Sequence, residues 1–326
     1  MANKKKKKKQ SLVNWRFVII ASLILSVAAI ITMADYLSLP SFIPTWDEVG
    51  DTLDDITQNI ADNYDIPELK NDKELKVHYI DVGQGDSILI QYDGKNALID
   101  SGDTGAANEV IGYLNATAVS RIDVLIISHP DSDHIGSMSK IIDNYDIGAV
   151  YMPPLSVDLV PTTNVYINML TSIAQKGLKI ELKEAGDTIK FGNLNFNCVA
   201  PQGDFASLNN SSIAFKLTFG ETSFLFTGDM EKASEKSTMI KHYDVSADVL
   251  KVAHHGGDSS TIEAFLEAVS PKIAVISVGE GNKYGHPDLS VLEALIEKGV
   301  DIYRTDLEGD IVIVSDGKQL EVITQK

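Results

Sequence analysis

Two imidazoles and two carboxylates fall within six residues, at His129, Asp131, Asp133 and His134. Nitrogen and oxygen donors at that density suit a divalent cation better than a solvated turn. The segment Ser128-His129-Pro130-Asp131-Ser132-Asp133-His134 follows the apolar run Val124-Leu125-Ile126-Ile127. A β-branched run of this kind reads as a buried strand, whose carboxyl end opens onto a loop where ligands collect. Pro130 biases His129 toward extended backbone. The competing reading is an Asp/Ser-rich turn with incidental histidines.

Three further loops each follow a short apolar strand: Thr227-Gly228-Asp229, His254-His255-Gly256 and Tyr284-Gly285-His286-Pro287. Five of the seven histidines lie in the four loops. If the strands are neighbours, the loops converge three imidazoles and three carboxylates. That set holds two divalent ions at about four protein ligands each, provided Asp229 bridges them. His78, alternating within the first strand, and His242, in a polar segment, read as structural.

The elements that must position these loops alternate from Glu74 onward. Short β-rich runs at Leu75 to Val82, Ser87 to Gln91 and Ala97 to Ile99 are separated by Gly83-Gln84-Gly85-Asp86 and by a hairpin-type Asp93-Gly94. Asp81 and Asp86 bracket a glycine-containing turn. Asp100 ends the third strand, where it is placed to orient a metal-bound histidine. A helix is expected near Ala106 to Leu114, another from Ile135 to Tyr145 after the ligand loop, and others near Val165 to Gln175 and Leu289 to Lys298. Strands are expected at Ala149 to Met152, Lys179 to Leu182, Leu194 to Ala200, Ser212 to Phe219, Ser223 to Phe226, Val249 to Ala253 and Ile273 to Val278. Short strands at Asp301 to Arg304, Ile311 to Val314 and Leu320 to Ile323 close the chain. Helices interleaved with strands predict an α/β body in which two sheets pack together with helices outside.

At 326 residues the chain can bury a large core, and its net charge is -18. Lys4 to Lys9 and Arg16 supply seven positive charges at the amino terminus, which leaves -25 for residues 17–326. So acidic a body argues against broad nonspecific binding of nucleic acid, which relies on Lys and Arg neutralising phosphates. The single cysteine, Cys198, excludes an intramolecular disulfide and a Cys-based zinc knuckle.

Residues 1–16 read as a basic cytoplasmic tail. Residues 17–34 form an uncharged run, just long enough to cross the hydrocarbon as a signal anchor that leaves the body outside the cell membrane. A cleaved signal peptide is the rival reading, on the small-residue pattern Thr32-Met33-Ala34. Residues 35–72 are an acidic linker. Trp46, Val49, Leu53, Ile56 and Ile60 form one helical stripe in it, and Thr45 with Glu48 makes a capping box. This stalk helix docks on the body or on a partner, self-association included. Residues 73–326 are the catalytic domain.

The chain resembles the metallo-β-lactamase-fold hydrolases, and more narrowly the extracellular nuclease-like domain of the ComEC competence family. The matching segments are His78 to Ser87, Leu98 to Gly102, Ser128 to Gly136, Asn209 to Ser212, Thr227 to Asp229, Leu250 to Gly256 and Tyr284 to Pro287. The resemblance implies a four-layer αββα sandwich with two divalent metals at the mouth between its sheets. It puts His129 and Asp131 on one metal, Asp133 and His134 on the other, and Asp229 between them. One of His254 and His255 completes the ligand set of the second metal, with a slight preference for His254. Asp131 stands where most of the superfamily has a second histidine, a substitution shared with the ComEC branch. Carboxylate in place of nitrogen hardens the site and widens the plausible ions from Zn²⁺ to Mn²⁺. Gly257 replaces the serine of the family's usual His-His-Gly-Ser.

Two such cations acidify a shared water and polarise a phosphoryl oxygen. Asp133 or Asp229 accepts the water's proton in this scheme. His286 is expected to bind phosphate or protonate the leaving oxygen, with Lys283 as a nearby cation. Asn209 and Ser212 are expected to hydrogen-bond substrate or the metal ligands. The leading expectation is a membrane-anchored extracellular phosphodiesterase acting as a nuclease, with single-stranded DNA as the substrate. The alternatives are a hydrolase of small or cell-wall phosphoesters, such as a phosphocholine-type substituent, and a catalytically silent binding module. A β-lactam or thioester hydrolase ranks below these, because of Asp131.

Overall fold

The structure is a computed structural model that describes residues 73–326. The tail, span and stalk expected in residues 1–72 lie outside the described residues. Among the described residues no helix is long and apolar enough to cross a membrane.

The first sheet starts as a meander of β1 (Leu75–Tyr79), β2 (Ile88–Tyr92) and β3 (Lys95–Ile99), paired antiparallel. Asp93 and Gly94 join β2 to β3 with φ of 51° and 68°. Both are left-handed, as a two-residue hairpin matching the strand twist requires. From β3 the sheet turns parallel through β4 (Arg121–Ile126), β5 (Asp146–Met152) and β6 (Ile180–Leu182). On its other side the final strands, β14 (Ile311–Ser315) and β15 (Leu320–Thr324), join at β1. The second sheet runs antiparallel through β7 (Thr188–Phe191), β8 (Leu194–Ala200), β9 (Ala214–Phe219) and β10 (Thr222–Phe226). It continues parallel through β11 (Val249–Lys251), β12 (Ile273–Ile276) and β13 (Asp301–Arg304).

The period of two explains why the strands read as nearly continuous apolar runs. Ile88 and Ile90 of β2 join the core between the sheets, while Leu89 joins the core beneath the outer helices. Phe196, Phe215, Phe224 and Phe226 of the second sheet fill the inner layer against Val77, Ile99 and Ile126 of the first. Burying each phenylalanine stabilises the fold by about 1.5–3 kcal/mol. Over the first sheet pack α1 (Ala107–Ala116), α2 (Ser132–Ile135), α3 (Met138–Asn144) and α4 (Asn164–Gln175), through Val110, Ile135, Ile141 and Met169. The second sheet's outer face carries α5 (Lys232–Ile240), α6 (Glu263–Val269) and α7 (Leu289–Glu297), with Phe265, Leu266 and Leu295 in its core. A short α8 (Thr305–Glu308) follows β13. Two sheets face each other with helices outside, as the interleaved pattern predicts.

Three local expectations need correction. The helix expected from Ile135 to Tyr145 is two helices, α2 and α3, broken at Gly136 and Ser137. A Cβ at Gly136 would lie 2.3 Å from the backbone of Asp103 and Thr104, so the break is a close approach between segments. The apolar run after Tyr79 leaves the sheet, because the chain turns there into the Gly83-to-Asp86 loop. Strand β7 was not expected, since a four-residue alternation carried by Ile189 and Phe191 is too short to stand out.

The carboxyl ends of β3, β4, β10, β11 and β12 all feed one edge of the sandwich. The two sheets meet there through the Ile213 N–H, which donates to the Ser128 carbonyl at 2.9 Å. Gly85, with φ of 134°, lies against the Asp133 backbone, so that a Cβ would sit 2.2 Å from the Asp133 carbonyl oxygen. Gly85→Ala is therefore expected to destabilise the protein by at least about 2 kcal/mol and to lower its melting temperature measurably in calorimetry.

Candidate metal centre

A buried carboxylate fixes the ligand loop. Asp100, ending β3, accepts the Ser128 N–H at 2.8 Å and the Ser128 hydroxyl at 2.5 Å, and lies 2.8 Å from Nδ1 of His134. Its second oxygen thereby turns His134 Nε2 toward the cleft, as expected for an orienting acceptor. In α2 the Asp131 carbonyl accepts the N–H groups of His134 and Ile135, each at 3.0 Å, so the loop presents Asp131, Asp133 and His134 from one turn. Across the edge, Gly228 has φ of 52° and the Asp229 N–H donates to the Ser212 hydroxyl at 3.2 Å. His254 and His255 both take left-handed φ, 52° and 54°. Two successive non-glycine residues in that region are costly and mark a functional constraint.

Asp229 is the hub. Its Oδ2 lies 3.3 Å from His134 Nε2, 3.5 Å from His255 Nε2 and 3.9 Å from His129 Nε2. Asp133 Oδ2 is 3.4 Å from His255 Nε2, and Asp131 Oδ2 is 3.3 Å from His129 Nε2. One donor atom each from Asp133, His134, Asp229 and His255 lies within 4.8 Å of the others. The buried Nε2 atoms of His129, His134 and His255 and Oδ1 of Asp229 have no hydrogen-bond partner. Inward-facing imidazole nitrogens left unpaired beside carboxylates are the donor set that divalent cations take. Asp133, His134, Asp229 and His255 fit a divalent-cation site, and His129 and Asp131 flank it beside Asp229.

The electrostatics agree. Burial pulls His255 down, but the carboxylates of Asp229, Asp133 and Asp86 outweigh it and hold the ring up at about 9. His134 is likewise raised, against its burial, by Asp229 and Asp100. Burial pushes Asp133 up, yet His255 and His134 bring it down to about 2. Without a cation, imidazolium charge balances these carboxylates, and a bound cation displaces those protons.

The slight preference for His254 as a ligand is reversed. The paired left-handed residues turn the two rings apart, and His254 Nδ1 lies 2.8 Å from Ser259 Oγ while its Nε2 lies 3.3 Å from Asn209 Nδ2. Asn209, His254 and His286 instead line a cleft of about 270 Å³ over the ligand cluster. Ser212 is fully buried and anchors the Asp229 backbone, so it does not face a substrate. His286 sits beside His254, ring centroids 5.3 Å apart, and its pKa is lowered by burial and by the charge of His254 and His255. Lys283 is exposed, its Nζ 5.0 Å from the Tyr284 ring centroid. His78 is structural, its Nδ1 2.9 Å from the Tyr113 hydroxyl.

Sequence reasoning reads Asp86 as part of a glycine-containing turn and passes over Lys251. Both are buried, and the Lys251 ammonium lies 2.8 Å from Asp86 Oδ2. Asp86 Oδ1 is 3.5 Å from His255 Nδ1, and the Asp86 N–H donates to the Asp133 carbonyl at 3.2 Å. His255 Nδ1 also lies 2.8 Å from the Ser277 carbonyl, an acceptor that leaves Nε2 facing the cluster. A lysine inside the apolar strand Val249-Leu250-Lys251-Val252 was the signal available.

A profile of the metallo-beta-lactamase superfamily matches residues 80–280. The chain is 33% identical over 257 residues to the ComE operon protein 3 of Bacillus subtilis, which covers 73% of this chain and 33% of that protein. It is 30% identical over 245 residues to the competence protein ComA of Neisseria gonorrhoeae, covering 74% and 33%. Recombination protein 2 of Haemophilus influenzae matches at 30% over 254 residues, covering 76% and 30%. The chain thus spans about a third of the length of these relatives. Among solved structures, the metallo-beta-lactamase fold protein YhfI from Bacillus subtilis superposes with a TM-score of 0.50 at 13% identity, covering 74% of this chain and 100% of that one. The diiron beta-hydroxylase CmlA from Streptomyces venezuelae also reaches 0.50, at 15% identity, over 77% and 54%. Both are likenesses of fold.

Two outcomes follow from the buried charges. Lys251→Met strips buried Asp86 of its nearest countercharge and leaves only His255 Nδ1 at 3.5 Å, so urea unfolding should show a loss of about 3 kcal/mol. His255 has a folded pKa near 9 against an ordinary 6.5, so its contribution to stability is complete below about pH 6.5 and lost as pH rises toward 9. The metal-free protein should melt progressively lower across that window, while the metal-loaded protein, with His255 already deprotonated, should not.

Proposed function

The chain belongs to the metallo-beta-lactamase superfamily, and on that premise we propose that it is a membrane-anchored, extracellular, metal-dependent phosphodiesterase that cleaves single-stranded DNA. The observation that carries this reading is the ring of unpaired, inward-facing imidazole nitrogens about Asp229. A silent binding module would have no reason to keep such a costly set of buried polar atoms. The ligand set, with Asp131 beside His129, is rich in carboxylate and suits oxygen-loving cations such as Mn²⁺ as well as Zn²⁺. The names of the relatives, competence and recombination proteins, favour DNA over other phosphodiesters. The uncharged run at residues 17–34 with its basic flank supports a single-pass anchor and an exported body, with the stalk helix between them.

His129, Asp131 and Asp229 would hold one cation, and Asp133, His134, Asp229 and His255 the other. Bound there, divalent cations supply a nucleophile at neutral pH and offset phosphoryl charge. Asp133 lines the cleft with its side chain 27% exposed and would be the carboxylate placed to accept a proton there. Asp229, ringed by three histidines, would be a ligand common to both sets. His286 and His254 line the same cleft as Asp131 and Asp133, where they would meet the phosphoryl or leaving oxygen. Asn209 positions His254 through the contact at its Nε2.

The acidic body and the modest cleft favour a second reading, hydrolysis of small or cell-wall phosphoesters. One assay separates the two. Full-length protein loaded with Mn²⁺ or Zn²⁺ is expected to cut labelled single-stranded DNA, and Asp229→Ala to lower the rate by at least about a hundredfold. Intact DNA from a protein carrying its metals would remove the nuclease reading in favour of small phosphoesters.

A further inference from the structure

Apart from His286, one wall of the cleft has no role in the proposed reaction. It is the loop between β12 and α7, and it is built to be rigid. Asn282 donates from Nδ2 to the carbonyls of Gly279 at 3.1 Å and His286 at 2.6 Å, and its Oδ1 accepts the N–H groups of Tyr284 and His286, each at 3.1 Å. One asparagine thus ties four backbone groups together. The Asp288 N–H donates to the Gly256 carbonyl at 2.8 Å, which fastens the loop to the turn carrying His255.

On this fixed loop Tyr284 is 57% exposed. Its ring lies nearly parallel to His286, 25° apart with centroids at 5.7 Å, and both residues line the cleft. Folding gains little by holding an aromatic ring in water, but a ligand with a flat face gains a prepared surface. We propose that Tyr284 is the platform on which a nucleobase beside the cleaved phosphate stacks, which makes single-stranded nucleic acid the substrate class of this site. The inference rests on the phosphodiesterase reading above and adds a base-binding subsite to it.

Three observations point the same way. Bases in a duplex have their faces covered, whereas a single strand offers them to an aromatic ring. Residues 73–326 carry a net charge of -16, which disfavours holding a strand by a broad basic track and leaves local stacking as the attachment this cleft offers. Lys283, exposed and 5.0 Å from the Tyr284 centroid, is a flexible cation able to leave the ring for a phosphate as the base arrives. The same lysine disfavours a quaternary ammonium on that ring, because like charges would then share one face.

The test uses full-length, Mn²⁺-loaded protein and two oligonucleotides of equal length, an oligothymidylate and an abasic strand. The wild type should prefer the base-bearing strand in kcat/KM by about tenfold or more. Tyr284→Ala should bring that preference close to unity through KM, and Tyr284→Phe should retain it. A phosphorothioate-linked strand carrying 2-aminopurine should lose fluorescence on binding the wild type and Tyr284→Phe, but not Tyr284→Ala. Cleavage of both strands with the same preference in wild type and Tyr284→Ala overturns the subsite and leaves the phosphodiesterase standing. Cleavage of neither strand by metal-loaded wild type overturns both. Turnover of a phosphocholine ester that Tyr284→Ala abolishes would assign the ring to a small cationic substituent and overturn the nucleobase platform.

Discussion

A carboxylate buried among three imidazoles is unstable alone, and the mouth of this protein is arranged around that fact. Asp229 lies 3.3–3.9 Å from the Nε2 atoms of His134, His255 and His129, and none of those nitrogens has a hydrogen-bond partner. Its charge is tolerated because positive charge sits against it, as imidazolium protons or as divalent cations. Every surrounding device keeps that arrangement from collapsing. Asp100 aims His134, Ser277 aims His255, Ser212 holds the Asp229 backbone, and the Lys251–Asp86 pair ties the strand before His255 to the loop that supports Asp133.

The fold supplies the one place where this can be done. Ligands come from β4 in one sheet and from β10 and β11 in the other, so they meet only if the two sheets pack face to face with these strand ends at the same edge. The phenylalanine layer between the sheets sets that spacing, and close backbone approaches at Gly85 and Gly136 lock the ligand loop onto its neighbours. Catalytic geometry therefore depends on core packing as much as on the ligands.

Much of this was readable in the residues. His129 to His134 stood out because polar donors crowd the end of an apolar strand, and Asp229 and the histidine pair did so for the same reason. The choice between His254 and His255 was not readable, since adjacent residues point to different sides only through their left-handed backbone, which is a tertiary constraint. Lys251 was hidden by its apolar neighbours, and its partner Asp86 resembled an ordinary turn residue. For Ser212, substrate and metal ligands were equally open as partners, and burial leaves it bonded to the Asp229 backbone. Tyr284 was read only as part of a histidine motif, since the exposure of its ring depends on how Asn282 folds the loop.

That Asp229 would serve two divalent cations is the claim on which the proposed function stands. Equilibrium dialysis of the full-length protein against Zn²⁺ or Mn²⁺, followed by metal analysis, tests it most directly when wild type and Asp229→Asn are compared. The account predicts two ions per chain in the wild type and a marked loss at both positions in the variant. A wild type that binds a single ion, or a variant that retains both, would contradict it.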